Sequence, residues 1–434
     1  MKSSKRKICQ VLALLVSSMG ATAAMAAPNV QGGGSSLVAP TIGSIGNSAS
    51  EIGLFGTSQG SFTYYSVGSG AGMNAFLNNQ PTFFGAGVTG TVHFANSDAA
   101  LSTAQLTAYK AGLGATSGPL IQIPYIVTPI TVPVVNGPAV TSTTTPQTTP
   151  GQAHSIALND DDLCGIFSGK LTNWNQVTNP ETSSAYALNA PIKVIYRSDG
   201  SGTTELLTRH LAAVCTTLNT QANVAFVDSL TFTASFPGGV VPANFVPASG
   251  SGGVRTQLVN LSSAGTAAVA YLSPDYTNTF LAPSSTVVTA AGAVQLPLAS
   301  LVNAKNGATY APTYANATTA VGTTSAPSTP ARAANQVNWV PNAATPAAGY
   351  PVSGTSQIIL SQCYSDPAVK TAVHDFLNAH YTNASFASIV HGNGFDTVSS
   401  NFQTAISADF LSNTSGYNLD IGNASACTGS VTGR

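Results

Sequence analysis

Pro191-Ile192-Lys193-Val194-Ile195-Tyr196 runs directly into Arg197-Ser198-Asp199-Gly200-Ser201-Gly202-Thr203-Thr204, and this junction decides the fold. The β-branched, apolar half predicts a buried strand. The glycines and hydroxyl residues after it predict a tight turn. Leu207, Leu211 and Val214 then recur on one face, which predicts a helix opened by that turn. The same succession appears at Phe62-Thr63-Tyr64-Tyr65-Ser66-Val67, followed by Gly68-Ser69-Gly70-Ala71-Gly72 and by Met73, Phe76 and Leu77 at helical spacing. Ser102-Thr103-Ala104-Gln105 is a capping box. Asp366-Pro367 opens a helix bearing Val369, Val373, Phe376 and Leu377. Ile121 to Val135 is a long β-branched run interrupted by Pro124, Pro129 and Pro133, which favours an edge or crossover strand. Strand, turn and helix in repeated succession predict an α/β fold with mostly parallel sheets.

The 434 residues suffice for one large domain or for two lobes with their own cores. Only 7% of them are charged, against roughly 25% in an average soluble domain, while 43% are apolar. Disordered chains are charge-rich and apolar-poor, so this composition argues for a folded chain. A net charge of −1 gives no sign of a nucleic-acid surface. Past the N-terminal region no apolar run is long enough for a membrane-spanning helix. Two stretches are biased: Ala139 to Gly151 is Thr/Pro-rich and Ala311 to Gly349 is Ala/Thr/Pro-rich, and both read as surface loops or insertions rather than core.

Lys2, Lys5, Arg6 and Lys7 precede the apolar stretch Ile8 to Met19, and Ala24-Met25-Ala26 forms an A-x-A cleavage signal, so residues 1–26 read as a secretory signal peptide. Cleavage removes four of the 14 basic residues and none of the 15 acidic ones, which leaves 10 and 15 and a net charge of −5. Cys9 leaves with the leader. Cys164, Cys215, Cys363 and Cys427 remain, and an even number in an exported chain suggests disulfides. Four cysteines allow three pairings, and the sequence alone does not choose among them. Cys164–Cys215 with Cys363–Cys427 is favoured because each pair then lies within one chain segment. With no C-x-x-C and with His93, His154, His210, His374, His380 and His391 dispersed, neither a metal nor another cofactor is expected.

Four loops share one feature. Gly32-Gly33-Gly34-Ser35-Ser36-Leu37, Val67-Gly68-Ser69-Gly70, Ala95-Asn96-Ser97-Asp98 and Arg197 to Thr204 each end a predicted strand with small or hydroxyl residues just before a helix. Small residues let backbone N–H groups approach a ligand, hydroxyls add donors, and a helix N-terminus adds partial positive charge. That combination suits a tetrahedral oxyanion. Singly, such loops are usually only turns and caps. Together, and with Arg197 in a chain so poor in cations, they form a candidate anion site.

These residues also carry a family resemblance. Gly32-Gly33-Gly34-Ser35-Ser36-Leu37-Val38-Ala39-Pro40 resembles the opening loop of the periplasmic phosphate-binding proteins of ABC transporters, the PstS family. Phe94-Ala95-Asn96-Ser97-Asp98-Ala99-Ala100-Leu101-Ser102 is similar to that family's G-A-S-D-A-P-L-S segment, and Arg197 to Thr203 to its R-x-D-G-S-G-T motif. Leu163-Cys164-Gly165-Ile166-Phe167-Ser168-Gly169-Lys170-Leu171-Thr172-Asn173-Trp174-Asn175 resembles its I-F-x-G-x-I-T-x-W-N signature, the most specific of the four. The two cysteine pairs and the triple glycine resemble the DING branch, although Asn29-Val30-Gln31-Gly32 stands where D-I-N-G would. Leu37 stands where many members carry an aromatic, and Gly70 where a second Ser often follows Ser69.

The resemblance implies a two-lobed periplasmic-binding-protein fold of type II, each lobe a mixed, mostly parallel sheet flanked by helices. Residues 27–124 with 352–434 would form lobe I and residues 125–351 lobe II, with the biased stretches near 139–151 and 311–349 as insertions and hinges near Ile123–Val127 and Tyr350–Ser353. It implies inorganic phosphate as ligand. Ser36 and Leu37 would offer a hydroxyl and backbone N–H groups, Ser69 a further hydroxyl, and Ser201, Gly202 and Thr203 donors at a helix N-terminus. Arg197 would clamp two oxygens through its planar fork, oriented by Asp199. Asp98 would face the anion as an acceptor: phosphate near neutral pH still carries a proton to donate, whereas sulfate carries none and meets a buried like charge. An ABC permease partner and a monomeric state would follow, in the periplasm or outside the cell, which the sequence does not decide. Two other readings compete: a secreted alkaline-phosphatase-like enzyme and an extracellular matrix or adhesive protein. Asp160-Asp161-Asp162 fits an acidic helix start rather than a metal cluster, and no catalytic residue is assigned.

Overall fold

The structure, a computed structural model, describes residues 27–277, 285, 294–322 and 324–434, so the expected signal peptide lies outside the described residues. Its two main sheets are built from β1 (Asn29–Gly34), β2 (Ser61–Ser66), β3 (Phe94–Ser97), β4 (Leu120–Pro129), β5 (Val134–Val135), β6 (Lys193–Arg197), β7 (Phe245–Ala248), β8 (Ala268–Ala270), β9 (Ser353–Ser361) and β10 (Asp396–Thr397). The first sheet has the order β10-β4-β9-β3-β1-β2 and the second β7-β6-β8-β5. In the first, β1 lies parallel to both β2 and β3; in the second, β6 lies parallel to both β7 and β8. Antiparallel pairings come from β9, which returns between β3 and β4, from β10 beside β4 and from β5 beside β8.

The junction at Arg197 folds as its sequence dictates. β6 is buried, and α4 (Gly202–Val214) starts behind an Ser201 N-cap whose hydroxyl accepts from Thr204 N at 3.2 Å. Leu207 and Leu211 sit wholly in the core. α1 (Ser69–Asn78) follows β2, and α2 (Thr103–Ala111) carries the predicted Ser102–Gln105 capping box. α7 (Pro367–Thr382) is capped by Asp366 and buries Val369, Val373, Phe376 and Leu377, with Phe376 stacked on Phe62 at 4.6 Å. Each such side chain contributes about 1.5–3 kcal/mol by leaving water. β1 passes between β2 and β3 with little room. Gly34 has φ +137°, and a Cβ there would lie 2.2 Å from Asn96 O, so only glycine fits.

β4 carries its prolines next to the edge of the sheet, where only the two residues of β10 cover it. The chain leaves the first sheet after Pro129 and returns before Ser353. These crossings lie side by side, with Ile130 N donating to Val352 O at 2.8 Å. The return coincides with the expected hinge at Tyr350–Ser353, whereas Ile123–Val127 stays paired inside β4.

The Ala/Thr/Pro-rich stretch departs from its reading as surface loop. It forms α6 (Tyr314–Val321) and a turn at Gln336–Trp339, both packed along β4, with a short turn at Pro330–Ala333 against the latter. Trp339 is fully buried, donates from Nε1 to Ala333 O at 2.8 Å and meets Phe410 edge-on at 5.0 Å. Many small residues around one large aromatic make a core patch that composition hides. The Thr/Pro-rich stretch is likewise pinned: Thr145 Oγ1 donates to Ser155 O at 2.7 Å.

Both favoured disulfides are present. Cys164–Cys215 joins α3 (Asp160–Ser168) to the end of α4, and Cys363–Cys427 ties the region after β9 to the C-terminal tail. The Asp160-Asp161-Asp162 run opens α3, where Asn159 and Asp162 form a capping box and Asp160 meets His210 Nε2 at 3.0 Å.

Candidate anion-binding site

In sheets of this kind, ligands settle outside the C-terminal strand ends, where a central strand has its crossovers running to opposite sides. Here that strand is β1 in the first sheet and β6 in the second, and the loops leaving their C-terminal ends meet face to face. From the first sheet come the Ser35–Leu37 loop after β1, Ser69 at the start of α1 and Asp98 just after β3. From the second comes the turn from Arg197 to Thr203.

Every predicted site residue is brought into this cluster. Ser36, Leu37, Ser69, Asp98, Arg197, Ser201 and Thr203 are all buried. Ser69 Oγ accepts from Asp98 N at 3.3 Å, and Thr203 Oγ1 lies 3.4 Å from Asp98 Oδ2 across the cleft. A Cβ on Gly202 would come within 2.6 Å of both Asp98 Cβ and Ser69 Oγ, so glycine lets the N-terminus of α4 approach the opposite wall. Gly70 N donates to Gly200 O at 2.9 Å, another contact between the walls. Arg197 reaches Asp199 through a fork, Nε to Oδ1 at 2.7 Å and Nη2 to Oδ2 at 2.5 Å, as the spacing of two residues suggested. Gly250 N also donates to Asp199 Oδ1, at 2.9 Å. Leu37 N, expected to face the anion, donates to Ser35 Oγ at 3.1 Å.

The two carboxylates differ in electrostatics. Burial pushes the Asp98 pKa up, and hydrogen bonds, including those from Ser35 and Thr203, together with the Arg197 charge, only partly offset it. Burial pushes Asp199 up as well, but the Arg197 fork outweighs it and leaves Asp199 below the usual carboxylate range. Arg197 is itself only 2% exposed. The arrangement therefore offers one guanidinium, several neutral donors and one acid poised to accept a proton, which is the chemistry of a protonated oxyanion.

Three contributors escaped the sequence reading. Ser35 Oγ donates to Asp98 Oδ1 at 2.7 Å; it stands in a quoted loop, but nothing marked it as the partner of Asp98. Ser251 brings a fifth loop, Ser249-Gly250-Ser251-Gly252-Gly253, between β7 and α5 (Gly250–Ser263), with the same strand, small-residue and helix signature as the other four. Tyr271 OH accepts from Arg197 N at 2.9 Å and lies 2.8 Å from Thr204 Oγ1, holding both ends of the turn; no local pattern announces it.

A family profile described as a PBP superfamily domain matches residues 20–378. The chain belongs to this superfamily, in its PstS- and DING-like phosphate-binding family. It is 35% identical over 368 residues to a Pseudomonas aeruginosa PAO1 protein called Alkaline phosphatase L, covering 84% of this chain and 86% of that one. It is 34% identical over 377 residues to a phosphate-binding protein of an unknown prokaryote, covering 84% and 92%. Among solved structures it resembles PfluDING, a high-affinity periplasmic phosphate-binding protein bound with phosphate, with a TM-score of 0.73, 32% identity and coverage of 94% and 99%. A phosphate-binding protein from Stenotrophomonas maltophilia superposes with a TM-score of 0.74 at 29% identity, covering 94% and 100%. The two-lobed α/β expectation agrees with this family.

Proposed function

We propose that the protein captures one inorganic phosphate in this cleft with high affinity. The observation that carries the reading is the meeting, in one buried site, of the Arg197 guanidinium on one wall with the Asp98 carboxyl on the other. Arg197 Nη1 is free of the Asp199 fork and is the cation for the anion's oxygens. Ser36, Ser69, Ser201 and Thr203 supply hydroxyls and Gly202 an N–H at the start of α4. Asp98 accepts the proton that phosphate retains. The walls belong to two lobes, one on each sheet: all of β4 and the Tyr314–Trp339 segment packed along it go with the first sheet, in place of the expected boundaries at 124/125 and 351/352, and the lobes close about the crossings near Ile130 and Val352. Export places the protein in the periplasm, where it hands phosphate to an ABC permease, or beyond the cell, where it acts as a scavenger. Isothermal titration of the protein freed of phosphate tests the reading: one phosphate per chain is expected, and no binding would refute it.

A phosphatase is the second reading, because the Ser35–Asp98 bond sets a hydroxyl against a carboxylate base and a relative bears the name Alkaline phosphatase L. Ser35 Oγ is, however, held from two sides, donating to Asp98 and accepting from Leu37 N. Little turnover of an aryl phosphate is expected. Robust turnover lost in both Ser35→Ala and Arg197→Ala would favour the enzyme; turnover kept in both would locate the activity elsewhere.

A further inference from the structure

We propose that Ser251 is a latch that holds the two walls closed over the captured anion, an inference that rests on the phosphate reading. Ser251 is the second residue of α5 and is fully buried. Its N–H donates to Ser36 Oγ at 3.1 Å, and its own Oγ lies 3.0 Å from the same atom. Ser36 belongs to the loop after β1, on the other wall and 215 positions away in sequence. This contact exists only while the walls are together. The remaining cross-cleft hydrogen bonds among the site loops are the backbone pair Gly70–Gly200 and the 3.4 Å Thr203–Asp98 contact.

Hydroxyl arithmetic assigns the roles. A serine hydroxyl has one proton and two lone pairs. Ser36 Oγ accepts from the Ser251 amide, so its proton is free to point at Ser251 Oγ or at an anion oxygen. Ser251 Oγ lies 3.5 Å from Arg197 Nη1, the guanidinium nitrogen outside the Asp199 fork. A relay follows in which Arg197 donates to Ser251, the Ser251 amide donates to Ser36, and Ser36 donates to the anion. The Ser251 loop is itself moored to the cationic wall, because Gly250 N shares Asp199 Oδ1 with Arg197 Nε. One carboxylate thus orients both the cation and the latch. Ser251 is a positioning residue: it acts through Ser36 and Arg197.

Such a latch slows escape without affecting encounter, which takes place in the open form. Stopped-flow kinetics with inorganic phosphate should show Ser251→Ala raising the dissociation rate roughly five- to tenfold, the effect of about one net hydrogen bond, with the association rate within about twofold of the parent. Ser251→Ala removes only the hydroxyl pair and keeps the amide that donates to Ser36 Oγ, whereas Ser36→Ala removes both contacts and the hydroxyl offered to the anion. Ser36→Ala therefore serves, if Ser251→Ala folds poorly, through the phosphate-free radius of gyration rather than through the dissociation rate. In Ser36→Ala/Ser251→Ala the two effects should not multiply, since Ser36→Ala already removes the hydroxyl that Ser251 Oγ meets across the cleft. An unchanged dissociation rate, or effects that multiply fully, would overturn the latch. Small-angle scattering of the phosphate-free proteins separates this from the phosphate reading. The latch requires a larger radius of gyration in Ser251→Ala than in the parent whether or not phosphate binds. Equal radii would refute it, while a parent that ignores phosphate would refute only the ligand.

Discussion

The two walls of the cleft present opposite chemistry from similar material. The wall of the first sheet offers Ser35, Ser36, Ser69 and Asp98 and has no cation in its loops. That of the second offers Arg197, the helix start at Gly202 and Asp199. Asp98 and Asp199 are the same residue type under opposite control: burial raises the first against the hydroxyls that bond it, and a guanidinium fork lowers the second. On the proposed reading, affinity and selectivity reside on different walls: the cationic wall attracts any tetrahedral oxyanion, and the acidic wall admits one that still has a proton to give.

Breaking the cationic wall should have the largest effect. Arg197→Ala removes the only cation in the site loops and leaves Asp199 with Gly250 N as its remaining partner. A truncated buried charge pair costs about 2–5 kcal/mol, so the Kd for phosphate should rise roughly thirtyfold to several thousandfold. Titration of the variant checks this, and a loss under tenfold would place phosphate elsewhere.

Next comes the support beneath that wall. Cys164–Cys215 closes a separation of 51 residues and fastens the end of α4, whose start lines the cleft opposite Asp98 and Ser69. Chain entropy assigns such a loop about 4 kcal/mol, with typical measured values of about 2–4. Cys164→Ser/Cys215→Ser should lower the denaturation midpoint accordingly in a urea titration, and Cys363→Ser/Cys427→Ser should do so on the acidic wall's side.

The acidic wall should show itself through pH. Because the folded pKa of Asp98 is raised, its ionised form opposes folding. The phosphate-free protein loses stability as pH rises from the ordinary carboxylate range through that raised value. Melting curves across pH should show this contribution in the parent and not in Asp98→Asn. The smallest effect is expected from Ser35→Ala, which removes one donor to Asp98 and should weaken phosphate by about 0.5–1.5 kcal/mol. Titration should then show a Kd raised by about tenfold at most.

Much of this comparison was legible in the sequence because it is local. The Arg197–Asp199 fork spans two residues, the Ser201 cap three, and the glycine-hydroxyl turns sit directly between strand and helix. The disulfide pairing followed from keeping each pair within one segment. What escaped is long-range. Ser251 meets Ser36 only after two sheets have assembled, and Tyr271 supports Arg197 from just beyond the end of β8. Ser35 becomes the partner of Asp98 because β1 and β3 lie side by side. Trp339 was hidden in a stretch whose small residues read as loop but which packs along β4.

The most direct test of the account is the binding of sulfate and phosphate to the parent and to Asp98→Asn, by isothermal titration at mildly alkaline pH. The parent should take phosphate and ignore sulfate, and Asp98→Asn should weaken phosphate while admitting sulfate, because an uncharged amide neither repels a fully ionised anion nor demands its proton. Equal affinity of the parent for both anions, or a variant that still excludes sulfate, would contradict it.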